Sequence, residues 1–158
     1  MSTNTSILLA LRNWEFEHVR MNKLLEQLSD EQLLKEVAPG KNRGVYLLGH
    51  LTAANDGIRK LLDLGDRLHP ELDQIFLASP DKTVAEIPAT TLLRAMWKEV
   101  MDKTTEDVKS LSDEAWFSKH TAVSAEDFVK EPHRNKLSII LSRTVHQAYH
   151  AGQLALLK

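Results

Sequence analysis

Residues 6–28 read SILLALRNWEFEHVRMNKLLEQL, and the apolar positions in this stretch fall at alternating steps of four and three residues. This spacing puts them on one side of an α-helix, because 3.6 residues complete a turn. The resulting stripe consists of Ile7, Leu11, Trp14, His18, Met21, Leu25 and Leu28. The segment therefore predicts a long helix with one buried face, and that face includes a histidine.

Three further segments repeat the pattern, separated by Pro39, Pro70, Pro80, Pro88 and Pro132. The second helix is expected to start after residues 39–44 and end near Gly65, burying Leu47, His50, Leu51, Ala54, Ile58 and Leu61. The third is expected over about residues 89–111, burying Leu93, Met96 or Trp97, Val100, Thr104, Val108 and Leu111. The fourth is expected from about Asn135 onward, with an apolar arc of Leu141, Val145, Tyr149, Gly152 and Leu156.

Four single-sided helices and no alternating β pattern predict an all-α fold, a four-helix bundle that forms one domain over residues 1–158. The chain has 158 residues, 42% of them hydrophobic, and is long enough to form a stable core without a metal ion or a disulfide. Two long connections, roughly residues 66–87 and 112–134, predict extra turns or a lid. The sequence Leu-Ser-Asp-Glu occurs at residues 28–31 and 111–114, where each serine can cap a short turn. This four-residue repeat is consistent either with a duplicated helix pair or with chance.

Composition disfavours several classes of function. The formal charge is −2 and no basic run stands out, so nucleic acid is not an expected partner. Without cysteine there is no disulfide, thiolate metal site or cysteine nucleophile, and a catalytic thiol would come from solution. No glycine-rich phosphate loop supports a nucleotide cofactor. We find no signal sequence and no 18-residue apolar stretch, so we expect a cytoplasmic protein with no membrane contact.

Three histidines form a candidate metal site. His146 and His150 lie one turn apart on the fourth helix, and His50 lies on the inward face of the second. Three neutral imidazoles leave an open coordination position on a divalent ion, which favours chemistry over a purely structural site. Two alternatives stay open at this point: a bundle that binds metal or a small apolar ligand without turnover, and a structural dimer whose three histidines are core residues.

Other polar residues are interpreted more conservatively. Ser142, Arg143 and Gln153 share the arc of His146 and His150, where they line either a polar pocket or a solvated strip. His18 lies beside Trp14 and is expected to be a neutral core residue. Solvated positions are expected for the remaining candidates, His69, His120, His133 and the carboxylate of Asp56.

Residues 44–51, GVYLLGHL, and residues 146–154, HQAYHAGQL, together with the Leu-Ser-Asp-Glu segments, resemble the DinB/YfiT-like superfamily over about residues 11–157. The resemblance implies a four-helix bundle, usually a homodimer, with a divalent metal such as nickel, zinc or iron held by His50, His146 and His150. Related proteins include thiol-dependent S-transferases, hydrolases and isomerases. Many relatives have an acidic residue where this chain has Gln147, which removes one candidate base, and no catalytic residue can be transferred.

The leading hypothesis is thus a metal-dependent enzyme. A divalent ion with an open position can activate water, as in a hydrolase, or a thiol cosubstrate, as in an S-transferase.

Overall fold

The computed structural model describes residues 4–158 and confirms the all-α fold, with no β-strand in that range. In chain order the helices are α1 (Thr5–Gln27), α2 (Asp30–Leu33), α3 (Gly44–Leu61), α4 (Leu72–Phe76), α5 (Thr90–Lys109), α6 (Asp113–Trp116), α7 (Ala125–Lys130) and α8 (Lys136–Leu154). A 3-10 turn at Ala155–Leu157 follows α8. The long helices α1, α3, α5 and α8 are the four predicted ones.

Contacts between the long helices fix their directions. Trp14 donates to Thr105 and Trp97 to Asn22, so α1 and α5 run antiparallel. Asn55 meets Met101 and Arg59 pairs with Asp107, so α3 and α5 run parallel. Gly44 packs against Leu157, while His50 meets His146, which makes α3 and α8 antiparallel.

The bundle is therefore wound up, down, down, up. Two consecutive long helices, α3 and α5, point the same way, so residues 62–89 must return along the length of the bundle. A helix of 18 residues such as α3 is about 27 Å long. This distance explains the long connection, and α4 packs within it as one of the predicted extra turns.

Three of the predicted inward faces are confirmed. Trp14 and Met21 of α1, Leu51 of α3 and Trp97 of α5 are buried with 0–1% of their surface exposed. Burying large aromatic side chains such as Trp14 and Trp97 contributes much of the hydrophobic stabilisation of a small domain. The core lies between the four long helices and extends to Phe76 of α4 and Trp116 of α6, which are also buried.

The apolar arc predicted for α8 was expected to be buried with the other three stripes, and this expectation was wrong. Its members Leu141, Val145, Tyr149 and Leu156 are between 45% and 69% exposed, and Gly152 is exposed as well. The buried face of α8 consists instead of Leu137, Ile140, Thr144, Gln147, Ala151 and Leu154. This face fills the angle between α1 and α3. Since it includes a threonine and a glutamine, its hydrophobic pattern is weaker than that of the face left in solvent.

The second helix also ends earlier than predicted, at Leu61 rather than near Gly65. The backbone turns at Asp63, whose φ is 58°, in the left-handed region that aspartate tolerates better than most residues. The N–H of Leu64 donates to the Arg59 carbonyl and that of Asp63 to the Lys60 carbonyl. These two bonds form the helix-ending motif that glycine at position 65 was expected to supply.

Both Leu-Ser-Asp-Glu segments behave as predicted. The hydroxyl of Ser29 accepts from the Gln32 N–H at the start of α2, and that of Ser112 accepts from the Ala115 N–H at the start of α6. Each serine therefore caps a short helix that follows a long one. Within residues 4–158, no helix combines the length and apolar character that crossing a bilayer requires.

Candidate metal centre

The structure brings the three predicted histidines together. His50 comes from the middle of α3, while His146 and His150 lie one turn apart on α8, which runs antiparallel to α3 at this point. The Nε2 atom of His146 lies 3.1 Å from Nε2 of His50 and 3.0 Å from Nε2 of His150. The three candidate ligand atoms all fall within 4.8 Å of one another.

Hydrogen bonds on the far side of two rings define which nitrogen carries the proton. Nδ1 of His50 donates to the Phe76 carbonyl at 2.9 Å, and Nδ1 of His150 donates to Oε1 of Gln153 at 2.7 Å. A carbonyl oxygen only accepts, so in the neutral rings Nδ1 bears the hydrogen and Nε2 bears the lone pair. Two lone pairs thus point toward the Nε2 atom of His146.

The rings of His146 and His150 are held in the neutral state that metal binding needs. Burial, followed by the charges of His150, His50 and Arg143, lowers the pKa of His146 to about 4. Burial also lowers the pKa of His150, against the opposing effect of its bond to Gln153. At neutral pH these two imidazoles are therefore uncharged and can act as ligands.

This donor set fits a divalent cation. A cation placed among the three Nε2 atoms would accept the lone pairs of His50 and His150, together with that of His146 when its proton is on Nδ1. Imidazoles in metal sites commonly donate their second N–H to a carbonyl or a side chain, as His50 and His150 do here. Nδ1 of His146 is buried and has no hydrogen-bond partner in the described part of the chain. Hydrogen bonds to Nδ1 therefore orient the rings of His50 and His150, but not that of His146.

Aromatic side chains border the histidines on both helices. The Tyr46 ring stacks over His50 with 6.3 Å between centroids and 14° between planes, and its hydroxyl donates to the Ser79 carbonyl. The ring of Tyr149 meets His150 edge-on at 5.1 Å. These contacts limit ring rotation and shield the cluster from part of the solvent.

The group that orients His50, the carbonyl of Phe76, was not predicted from the sequence. Phe76 lies in α4, in the connection that returns along the bundle, and nothing in its sequence marks it. One signal was available at Gly49, since glycine within a helix often indicates close approach of another element. A Cβ atom at position 49 would lie 2.4 Å from the Phe76 ring.

The polar residues beside His146 and His150 differ in how far they are buried and in what they contact. Gln153 contacts His150 directly and so belongs to a lined site rather than a solvated strip. Ser142 is exposed, as the solvated interpretation predicted, whereas Arg143 is half-buried. Gln147, directly after His146, is fully buried and accepts from Asn55 at 3.1 Å inside the core.

His18 lies away from the cluster and is half-buried rather than fully buried. Its ring meets the Trp97 ring edge-on at 6.2 Å, and burial lowers its pKa. Its Nε2 atom is buried and has no hydrogen-bond partner within residues 4–158.

Several expectations of solvated side chains were wrong. The carboxylate of Asp56 is 0% exposed and accepts from the backbone N–H groups of Leu68 and His69 and from Arg67. His120 is 8% exposed because its connection folds back on α3, where the Thr121 N–H donates to the Leu61 carbonyl. His133 is exposed, as predicted.

His69 is also more enclosed than predicted. Its side chain is 15% exposed and bridges Glu71 and Glu99, so it ties the long connection to α5. With Asp56, this residue fixes the path of the chain beyond α3. Neither lies in the histidine cluster.

Comparison with known families agrees with the helical fold. The family model of the DinB superfamily matches residues 13–154, nearly the whole chain. The chain belongs to the DinB superfamily. A search of curated proteins found no significant match. The DinB fold and the clustered histidines together fit a metal-binding helical protein.

Proposed function

We propose that this DinB-superfamily protein is a metal-dependent enzyme in which His50, His146 and His150 bind one divalent ion. The observation that carries the proposal is the convergence of three Nε2 atoms from two helices, with two rings already fixed in the tautomer that ligation requires. Three imidazoles suit zinc, nickel or iron(II), and we propose one of these as the resident ion.

An ion held by His50, His146 and His150 would keep an open position, where it would lower the pKa of water or of a thiol and so supply an anionic nucleophile at neutral pH. The chain itself holds and orients the ligands: Phe76 and Gln153 fix two rings, and Tyr46 and Tyr149 shield them. Since the chain has no cysteine, a thiol nucleophile would be a cosubstrate.

We therefore propose thiol transfer as the leading activity and hydrolysis as the second. In thiol transfer the sulfur of a small thiol attacks an electrophilic carbon, a C–S bond forms, the leaving group departs with its electron pair and the thiol proton goes to solvent. In hydrolysis, water takes the place of the thiol. An assay with and without added thiol separates the two.

Elemental analysis tests the site. The protein would be purified without chelators or a nickel resin, alongside His146→Ala and His150→Ala, with the exposed His133→Ala as the matched control. We expect about one metal per chain in the parent and in His133→Ala, and none in the two site variants, which should keep their helicity. Metal retained in the site variants would contradict the ligand assignment, and a metal-free parent that takes up none on titration would favour a structural bundle.

The exposed apolar face of α8 supports a homodimer, which we propose as the assembly. With neighbouring residues of α1 it presents seven large apolar side chains, each at least 45% exposed: Leu9, Phe16, Val19, Leu141, Val145, Tyr149 and Leu156. The exposed area of each side chain is on the order of 100 Å². The area of the whole face is therefore close to the contribution of one partner to a standard interface, which is about 800 Å².

Sedimentation equilibrium tests the dimer. Val145→Asp should produce monomers, because it buries a charge in the interface. Val129→Asp is the matched control, since Val129 is 83% exposed on α7, outside this face. A monomeric parent protein, or an unchanged dimer in Val145→Asp, would overturn the proposed interface.

A further inference from the structure

Arg143 stands out among the arginines because it is half-buried and has no acidic partner in the described part of the chain. Six others pair with a carboxylate: Arg20, Arg43, Arg59, Arg67, Arg94 and Arg134. Arg12 is exposed, so water solvates its charge. Within residues 4–158, Arg143 is the half-buried arginine that has neither a carboxylate nor a hydrogen-bond acceptor, and burial lowers its pKa without compensation.

This arrangement is unfavourable for the protein alone. A cation withdrawn from water costs free energy unless an opposite charge or several acceptors replace the lost solvent. The five N–H donors of a guanidinium suit a carboxylate, which they can bind through two parallel hydrogen bonds. An unpaired, half-buried guanidinium is therefore suited to an anionic ligand that arrives from solution.

Arg143 lies next to the histidine cluster. It precedes His146 by three residues, which places the two side chains on one side of α8, one turn apart. Its charge is one of those that act on His146, after burial and the two other histidines. A small molecule bound at the cluster is thus within reach of the guanidinium.

The facing helix leaves space in this direction. Gly57 follows His50 by two turns on the same face of α3, and nothing lies within 4 Å of the position that a Cβ there would occupy. Because α3 and α8 run antiparallel, Gly57 is displaced from the cluster toward the level of Arg143. The open space and the unpaired charge therefore lie on the same side of the histidines.

From these positions we propose that Arg143 binds the carboxylate of a small thiol cosubstrate whose sulfur is directed to the histidine cluster. This inference rests on the proposed function, since it assigns a substrate class to the same site. It makes Arg143 a residue that selects carboxylate-bearing thiols over neutral ones.

The test uses the protein loaded with cobalt(II), whose near-ultraviolet absorption reports thiolate binding without turnover. The probes are 3-mercaptopropionate and 3-mercaptopropionamide, which differ only in the charge of the group away from sulfur. We expect the parent protein to bind the acid at least about tenfold more tightly than the amide. Arg143→Gln should lose this preference while binding the amide as before, and Arg143→Lys should retain part of it.

Arg12→Gln is the matched control and should behave as the parent, because Arg12 is exposed on α1. If the parent shows no preference for the acid, or Arg143→Gln keeps it, the inference is overturned while the metal site stands. Cobalt content is measured first in the parent and in Arg143→Gln. Cobalt bound by neither protein would overturn the proposed function and the inference with it.

Discussion

Nδ1 of His50 donates a 2.9 Å hydrogen bond to the backbone carbonyl of Phe76, which lies 26 residues further along the chain. The bond is possible because Gly49, directly before His50, has no side chain. The Phe76 ring occupies the space of the missing Cβ, so the segment approaches α3 closely enough for its carbonyl to reach the imidazole. One glycine thus connects the packing of the long connection to the orientation of a candidate ligand.

Gly49→Ala should therefore destabilise the protein and weaken metal binding together. The new Cβ would lie 2.4 Å from the Phe76 ring, and overpacking of this kind costs about 1–3 kcal/mol. Displacement of Phe76 would also remove the acceptor that orients His50. Urea unfolding and metal titration measure the two effects.

Gly57→Ala in the same helix provides a control of opposite sign. A Cβ at position 57 meets no atom within 4 Å, and replacing a helical glycine by alanine stabilises by roughly 0.5–1 kcal/mol. Equal shifts in unfolding free energy for the two variants would contradict the packing at Gly49.

Removing the acceptor from His150 should lower metal affinity. In Gln153→Leu, Nδ1 of His150 loses its 2.7 Å partner, and loss of such supporting bonds typically costs about 10–100-fold in affinity. Gln153→Glu keeps an acceptor and should bind metal at least as well as the parent. Competition with a chromogenic chelator measures both, and equal affinity in Gln153→Leu would show that the bond has no supporting role.

Asp56→Ala should be strongly destabilising. The substitution leaves the N–H groups of Leu68 and His69 without their acceptor and takes one carboxylate from Arg67, a loss of about 3 kcal/mol. The control is Asp66→Ala, because the side chain of Asp66 is 97% exposed and should contribute within about 0.5 kcal/mol. Similar urea midpoints for the two variants would argue against a structural role for Asp56.

His69 should make a stability contribution that depends on pH. Burial opposes its charged form, but hydrogen bonds to Glu99 and Glu71 outweigh this, and the pKa is raised above 6.5. A raised folded-state pKa stabilises the protein fully below the unfolded pKa, and the contribution disappears as pH rises through the folded value. His69→Asn should thus cost more stability at pH 6 than at pH 8.5 in urea unfolding, with the exposed His133→Asn as the control.

Metal affinity should also decrease in acid. Protons compete with the ion for the imidazole nitrogens, but the His146 pKa of about 4 and the lowered pKa of His150 shift this competition to lower pH than for free imidazole. Titrations between pH 8 and pH 4 should show constant affinity near neutrality and loss toward the acid end. Constant affinity across the whole range would exclude histidine ligation.

Much of the architecture was predictable because it depends on local periodicity. The stripes of α1, α3 and α5 each face the core across most of their length, so their hydrophobic pattern reports burial directly. α8 has its buried face against two helices, and Thr144 and Gln147 on that face carry no hydrophobic signal. The apolar arc of α8 that the pattern does reveal lies in solvent, where the proposed dimer contact would cover it.

The sequence by itself determined the four long helices, the two serine caps and the three histidines, because spacing along one helix or one turn is enough to define each. Only the tertiary structure decided how α3 and α8 meet, which carbonyl orients His50 and that Asp56 is buried. It also decided that Arg143 has no acidic partner among residues 4–158. These features depend on residues distant along the chain, such as Gly49 and Phe76, whose contact is created by packing between helices and leaves no periodic signal in either segment.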